Sequence, residues 1–562
     1  MRGTQVLVAS WPIETAAGVF RREALATTGL RVSSVKQARE DADKDEARRV
    51  AARRPFECDL PGTPEEFAAM FAVGERQRWP EVSRASLYGL LRHAAEPGGE
   101  AREEIGRLLE RAGRDGDDDM VALALAWRAW VAIVRKGEMG GQADDDLARA
   151  AVMLESPGGD PIVRAAAHFR VAFSFWHRRL WELADEQFAA TEAMVEAVDP
   201  YAKDPLLHRA ALALDRVIVQ VDLAYVLREL GDSAGVRKRR KATRLLVATT
   251  ECLDLTPAWR DHVRVAALLV DVLAGLDRHA RVAKELRHVS DKEELAEWEA
   301  HLHLAKALHT DVVGHAAAAE AVERAIDLLR PANSEEPVYF MALRQAAALE
   351  AASMGKETAG LRCADALAAQ RERGRLASVT GMRATLASER LRKERDDLLR
   401  HAYSDPLTGL ANRRGFARHV ESLLSSATEQ VAYLVFDLDN LKPVNDRFGH
   451  PAGDAVLLRM SQVLRDGVRE GDFAARVGGD EFVLLLTGSG RAAAARRADE
   501  IAAALAGEGW DDIDPGLRVS VSAGFAAGHP SEIEDLAKEA DFALLRAKDA
   551  KHAAAPGLSA PA

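Results

Sequence analysis

The chain is short of the features that would place it in several large protein classes. Of its 562 residues only three are cysteine, Cys58, Cys252 and Cys363, scattered and odd in number. That excludes a disulfide-built scaffold and fits a reducing compartment, with small buried thiols the default expectation. No apolar run approaches the roughly 18 residues of a membrane span, and Val6 to Ser10 is too short for a signal-peptide core. No second His or Cys stands at ligand spacing from His450, so a zinc centre is not expected there and His450 reads as a turn or helix-start residue. A net charge of −12 argues against non-specific binding to nucleic acid. The expectation is a cytoplasmic protein with no membrane span, no nucleic-acid partner and more than one domain.

Residues 1–64 carry little pattern and read as a poorly structured extension, dense in charge from Lys36 to Arg54. Residues 65–375 are rich in Ala and Leu with helical periodicity. Breaks recur at Arg179-Leu180-Trp181, Leu230-Gly231-Asp232, Gly275-Leu276-Asp277, Val313-Gly314-His315 and Met354-Gly355-Lys356. Such spacing suits stacked helix pairs. The segments Leu183 to Phe188 and Ala224 to Asp232 look like helices of tetratricopeptide units, implying an α-helical solenoid with a surface for an unknown protein or peptide partner. A plain helical scaffold remains the competing reading. Phe169, Phe173, Phe175, Trp176 and Trp181 form an aromatic cluster whose helical spacing points to core packing, and Arg237 to Lys241 reads as a solvated basic face. Residues 376–402 follow, with Val379, Met382, Leu386, Leu391, Leu398 and Ala402 as a broken heptad seam. Two copies side by side would form a short parallel coiled coil. The last part is a 403–553 domain with a tail at 554–562.

That domain carries the chemistry. Strands are expected over Val431 to Phe436, Phe473 to Val477, Glu481 to Thr487 and Arg518 to Ala526, in a mainly antiparallel sheet backed by helices. Between two of them lies Gly478-Gly479-Asp480-Glu481, two glycines that admit phosphates close to the main chain and two carboxylates suited to a divalent cation. Another carboxylate, in Asp437-Leu438-Asp439, ends the first strand, where open sheets gather ligands. Lys442, Asn445, Asp446 and Asp454 follow. An amide with a carboxylate can read the guanine edge, since the carboxylate accepts from two base donors that adenine lacks.

These segments resemble the GGDEF family of diguanylate cyclases. The run from Asp437 through Gly453-Asp454, the Gly478 to Phe482 loop, and Asp405-Pro406-Leu407-Thr408-Gly409-Leu410-Ala411-Asn412-Arg413-Arg414 match that family's motifs in order. The resemblance implies an α/β, palm-like nucleotide-cyclase domain that condenses two GTP into cyclic di-GMP and two pyrophosphates with Mg²⁺ or Mn²⁺. It implies metal ligation by Asp437, the Leu438 carbonyl and Asp480, with Glu481 as a further ligand. Asp480 would take the proton from the attacking hydroxyl. Lys442 would neutralise phosphate charge, Lys548 the terminal phosphate, Asn445 and Asp454 would hold guanine, and Gly478 and Gly479 would line the substrate. Two domains facing across a two-fold axis are required, hence a homodimer. Arg469 and Asp472 are similar to the RxxD product-inhibition site that binds cyclic di-GMP. One departure stands out: the family's Gly-Arg near the domain's end is replaced by Lys551-His552. The loss of a bidentate arginine leaves open an alternative, a cyclic di-GMP receptor or scaffold with little turnover.

Overall fold

The computed structural model describes residues 51–52, 63–95, 101–136, 140–198, 209–250, 257–275, 296–329, 337–425, 430–469, 471–510 and 517–554. The expected N-terminal extension, Cys58, Cys252 and the tail therefore lie almost wholly outside the described residues. By packing, the chain falls into two units, Met1–Arg390 and Leu391–Ala562.

The first unit is helical. Its helices are α1 (Pro64–Gln77), α2 (Pro80–Ala94), α3 (Arg102–Asp115), α4 (Asp118–Lys136), α5 (Gln142–Met153), α6 (Pro161–His177) and α7 (Trp181–Val198). They continue as α8 (Arg209–Glu229), α9 (Ser233–Thr250), α10 (Pro257–Leu273), α11 (Ala296–Ala307), α12 (Thr310–Val313), α13 (His315–Leu329), α14 (Pro337–Ser353) and the long α15 (Ala359–Tyr403), whose residues from Leu391 on belong to the second unit. Start signals are local. Thr63 and Glu66 make a reciprocal capping box before Pro64, and Asp160 accepts from the Ile162 amide at 2.8 Å before Pro161, whose missing N–H costs nothing there. Stop signals are also local: Gly231, Gly275, Gly314 and Gly355 hold positive φ of 64–80°, and Arg179 holds 57°. All five breaks expected from the sequence fall at these residues.

Consecutive helices pack into two apolar cores. One joins Tyr88, Trp127, Trp130, Phe175, Trp181 and Phe188; the other is built on Tyr225, Leu268, Leu302 and Ile326. The aromatic cluster is core, as expected: Phe169 stacks on Phe173 at 5.8 Å, Trp176 meets Phe173 edge-on at 5.3 Å, and its indole N–H donates to Asp222. Of the basic run, Arg237, Lys238 and Lys241 are exposed as expected, whereas Arg240 is half-buried and, with Arg244 beyond the run, binds the fully buried Asp271. Cys363, expected to be a buried thiol, is exposed.

The linker differs most from expectation. The boundary placed at 375/376 falls inside the single helix α15, and Val379, Met382 and Leu386 are buried in the first helical core rather than kept for a second copy. Arg375 fastens the same face, donating to both carboxylate oxygens of Glu182 at 2.7 and 3.1 Å and to Glu372 at 2.7 and 2.8 Å, while its guanidinium lies over Trp181. Arg390 adds a bidentate pair with Glu155. Leu391 and Leu398 are instead 67% and 64% exposed. Leu391 stands five residues after Leu386, about 140° around the helix, so the apparent seam is two stripes on different faces.

The second unit contains α16 (Arg413–Leu424), β1 (Val431–Asp439), α17 (Leu441–Phe448), α18 (His450–Gly467), β2 (Phe473–Arg476), β3 (Glu481–Thr487), α19 (Arg491–Gly507), β4 (Ser520–Gly528) and α20 (Ile533–Ala554). The sheet is antiparallel throughout, in the order β2-β3-β1-β4. β1 is buried on both faces, and period-two alternation splits it. Leu434 and Phe436 pack with α18 and α19 residues such as Met460 and Ile501. Val431, Tyr433 and Val435 pack with Ile533, Leu536, Ala540 and Leu544 of α20. Gly524 lets α20 lie against β4, since a Cβ there would strike the Ala540 carbonyl and the Leu544 amide.

Candidate active site at one end of the antiparallel sheet

The antiparallel order brings the C-terminal ends of β1 and β2 and the N-terminal ends of β3 and β4 to the same edge. Asp437 pairs with Glu481 on one side and Ser522 on the other, and Asp439 pairs with Ser520. The acidic loop is the turn between β2 and β3, as expected. It is closed by the Val477 amide donating to the Glu481 carbonyl at 3.0 Å, and the Leu438 amide donates to the Asp480 carbonyl at 3.2 Å. Asp480 is thereby set beside the Asp437-Leu438 strand end. A Cβ on Gly478 would meet Glu481 Oε2 at 2.7 Å, a contact that would displace the exposed Glu481 side chain. Nothing lies within 4 Å of a Cβ built on Gly479, which faces open space.

Burial pushes the Asp437 carboxyl up, and the nearby Asp480 and Asp439 charges add to this, against the Lys548 ammonium that binds it at 2.7 Å. Two carboxylates that repel, next to a main-chain carbonyl, form a hard-oxygen donor set of the kind Mg²⁺ takes. Among the described residues no three acidic, His or Cys side chains cluster closely enough to hold an ion together. The fit thus rests on Asp437, Asp480 and the Leu438 carbonyl. Glu481, exposed at the start of β3, does not complete a trio.

Asn440, at φ 62°, turns the chain from β1 into α17 and sets Lys442 exposed on the first turn. Gly453 lets α18 pack against Asn445 of α17, since any Cβ there would occupy the position of the Asn445 amide group, and the exposed Asp454 is the next residue along α18. An amide and an exposed carboxylate carried on these two packed helices suit the donor pair of guanine. His450 is the first residue of α18, the helix-start role expected for it.

Arg469 and Asp472 are adjacent, 3.4 Å apart, but differ in exposure. Asp472 is 1% exposed and accepts from the Thr487 amide at 3.1 Å, whereas Arg469 is 61% exposed and donates to the Thr487 carbonyl and the Ser489 hydroxyl. Asp472 is therefore committed to the β2–β3 hairpin, and only the arginine is presented outward.

Two sets of partners were not legible in the sequence. Arg476 donates to the Gly479 carbonyl at 2.6 and 3.2 Å and to Asp405 at 3.0 Å, tying the acidic turn to the Asp405–Thr408 segment, where Asp405 also accepts from the Thr408 amide and hydroxyl. An arginine just before Gly-Gly in an otherwise apolar strand was the available signal. The second group is the set around Asp439: Ser520 and Ser522 donate at 2.6 Å, and Lys551 at 2.7 Å.

Fold and site define a small α/β domain with its functional groups at one edge of an antiparallel sheet. Residues 402–554 form a GGDEF domain, matching the family described as diguanylate cyclase, GGDEF domain. The chain is 37% identical over 159 residues to diguanylate cyclase DgcP of Pseudomonas aeruginosa, covering 28% of this chain and 24% of that protein. It is 35% identical over 179 residues to response regulator PleD of Caulobacter vibrioides, covering 30% and 39%. A crystal structure of the coiled coil and GGDEF domain of DgcB from Caulobacter crescentus with c-di-GMP is 29% identical, covering 32% of this chain and 94% of that one, with a TM-score of 0.29. The chain thus spans well under half the length of these two curated relatives.

Proposed function

We propose that the chain is a diguanylate cyclase that condenses two GTP into cyclic di-GMP with release of two pyrophosphates. The observation that carries this reading is the convergence of Asp437, the Leu438 carbonyl and Asp480 at one sheet edge, with Asn445 following on α17 and packed against Gly453 of α18. A bound Mg²⁺ or Mn²⁺ would supply charge neutralisation at the triphosphate. Asp437, Leu438 and Asp480 would hold it, and Glu481 would contribute only after moving. Asp480 removes the proton from the 3′-hydroxyl of one GTP. The hydroxyl oxygen bonds to the α-phosphorus of the other, and the bond to pyrophosphate breaks; the reciprocal step closes the ring. Lys442 and, after leaving Asp437, Lys548 stabilise the phosphate charge, while Gly478 and Gly479 leave room for the substrate.

Each domain contributes one GTP, so activity belongs to a homodimer. The exposed Leu391 and Leu398 are the residues available to a parallel coiled coil with a second copy, now that Val379, Met382 and Leu386 are engaged elsewhere. Arg469, with Asp472 behind it, would bind cyclic di-GMP as product inhibitor, giving up Thr487 and Ser489 to do so. The helical unit is read as a tetratricopeptide-like solenoid that receives a protein or peptide partner in the cytoplasm. Among the described residues no helix is long and apolar enough to cross a membrane.

The test is to incubate the purified chain with GTP and Mg²⁺ and separate the nucleotides. Cyclic di-GMP and pyrophosphate in a one-to-two ratio are expected. No cyclic dinucleotide at any protein concentration, with labelled product still bound, would favour the receptor reading that Lys551-His552 motivates.

A further inference from the structure

The face of β1 that meets α20 reads Val431, Tyr433, Val435, Asp437, Asp439, and the facing stripe of α20 reads Ile533, Leu536, Ala540, Leu544, Lys548, Lys551. The apolar contact is thus continued by two ion pairs in the same register, Lys548 with Asp437 and Lys551 with Asp439, each at 2.7 Å. The two pairs are not equivalent. Asp437 offers a metal-ligand position, so Lys548 must leave it when metal and nucleotide bind. Asp439 has no such duty, and both its oxygens are already taken by Ser520, Ser522 and Lys551. The Lys551 ammonium also donates to the Val521 carbonyl at 2.8 Å, bridging β1 and β4.

We propose that Lys551 is a positioning residue for the nucleotide site, a latch that keeps the end of α20 on the sheet while Lys548 changes partners. This rests on the cyclase reading above. Lys551 acts through two others. It holds the backbone that carries Lys548 one turn away, and it anchors the Asp439 side chain directly after the Leu438 carbonyl, where Asn440 makes the left-handed turn. Two of its three ammonium donors are taken by Asp439 and the Val521 carbonyl, which commits it to the sheet edge rather than to the bidentate role of the family's arginine.

A consequence separates this from a merely structural role: before loading both pairs hold α20, and after loading only Lys551 does. Hydrogen exchange of amides 545–553 in Lys551→Met should therefore match the parent chain without ligand. It should become faster than in the parent once Mg²⁺ and a GTP analogue with a methylene bridge between the α- and β-phosphorus are added. Affinity for that analogue by calorimetry should fall about 3–10-fold, the effect of one half-exposed charge-assisted hydrogen bond. With GTP, KM should rise by the same factor while kcat changes less than twofold, and Lys551→Arg should restore both. Should Lys551→Met fold poorly by circular dichroism, the Ser520→Ala/Ser522→Ala pair, which frees Asp439 without removing a charge, should give the same ligand-dependent exchange with a smaller affinity loss. Unchanged affinity and exchange in these variants, or exchange equally raised with and without ligand, would overturn the latch. A parent chain that neither binds the analogue nor makes cyclic di-GMP would instead overturn the cyclase reading, and the latch with it.

Discussion

At the scale of single residues, burial and partner decide what each charge does. Asp480 combines the roles of metal ligand and base, so Asp480→Ala should lower turnover by at least ~10²-fold in a product assay, as losing one acid–base group does. Near-parental turnover would remove Asp480 from the site. Arg476 is a structural counterpart: it is 13% exposed and holds both the Gly479 carbonyl and Asp405. Arg476→Met should cost about 1.5–3 kcal/mol of stability, because the half-buried Asp405 and a turn carbonyl lose a charged donor. Thermal unfolding of the 391–562 unit would show it, and an unchanged midpoint would mean that water replaces the guanidinium fully. These two residues differed in legibility. Asp480 was readable because its neighbours in the chain form a recognisable pattern. The role of Arg476 was not, since its partner Asp405 stands far away in sequence and no local pattern marks a long-range ion pair.

Among the elements, α15 is the one whose sequence promised something different from what it does. Its docked face is held by Val379, Met382 and Leu386 and by Arg375, which is 9% exposed, whereas the Arg390–Glu155 pair is about half exposed on each side. The burial difference sets the ranking. Arg375→Ala leaves Glu182 and Glu372 without their cation and should destabilise the helical unit by about 3 kcal/mol, while Arg390→Ala should cost under ~1 kcal/mol. Denaturant midpoints of the two variants give the comparison, and equal midpoints would mean that the Arg375 cluster holds nothing. Leu391→Glu/Leu398→Glu should leave the stability of the single chain unchanged, since both positions are exposed, yet reduce dimer mass in sedimentation and lower cyclase activity. A variant with full mass and activity would assign dimerisation to another surface.

For the whole molecule, pH should act through the helical unit. Burial pushes Glu229 at the end of α8 up to about 7, and among the described residues its Oε1 has no hydrogen-bond partner; Arg371 and Arg344 pull down, Glu372 and Asp365 push up. With the folded pKa above the unfolded one, the folded state holds a proton that the unfolded state has lost over the interval between them. Stability is therefore highest below the ordinary carboxylate range and falls as pH rises to about 7, after which the loss is complete. Glu229→Gln should accordingly raise the unfolding temperature at pH 8 and leave it nearly unchanged at pH 4; a gap independent of pH would show that Glu229 is not the titrating group. Asp215 in the same helix, also pushed up to about 7 by burial, adds to the parental pH slope in the same sense and persists in the variant.

The sequence by itself determined what depends on short-range pattern. It gave the helix breaks at left-handed residues, the four strands of alternating or continuous apolar residues, and the acidic turn, because backbone conformation and side-chain period are local properties. Tertiary structure alone decided which faces those elements spend and on whom. The stripe Val379-Met382-Leu386 is as apolar as any dimer seam, and only the presence of a core with room for it turns it inward. What Lys551 binds followed only from the pairing of β1 with β4, which puts Asp439 and the Val521 carbonyl at its ammonium. An apolar stripe or a cation fixes that a partner is needed, not which one, and the choice falls to whichever surface the fold brings within a few ångströms.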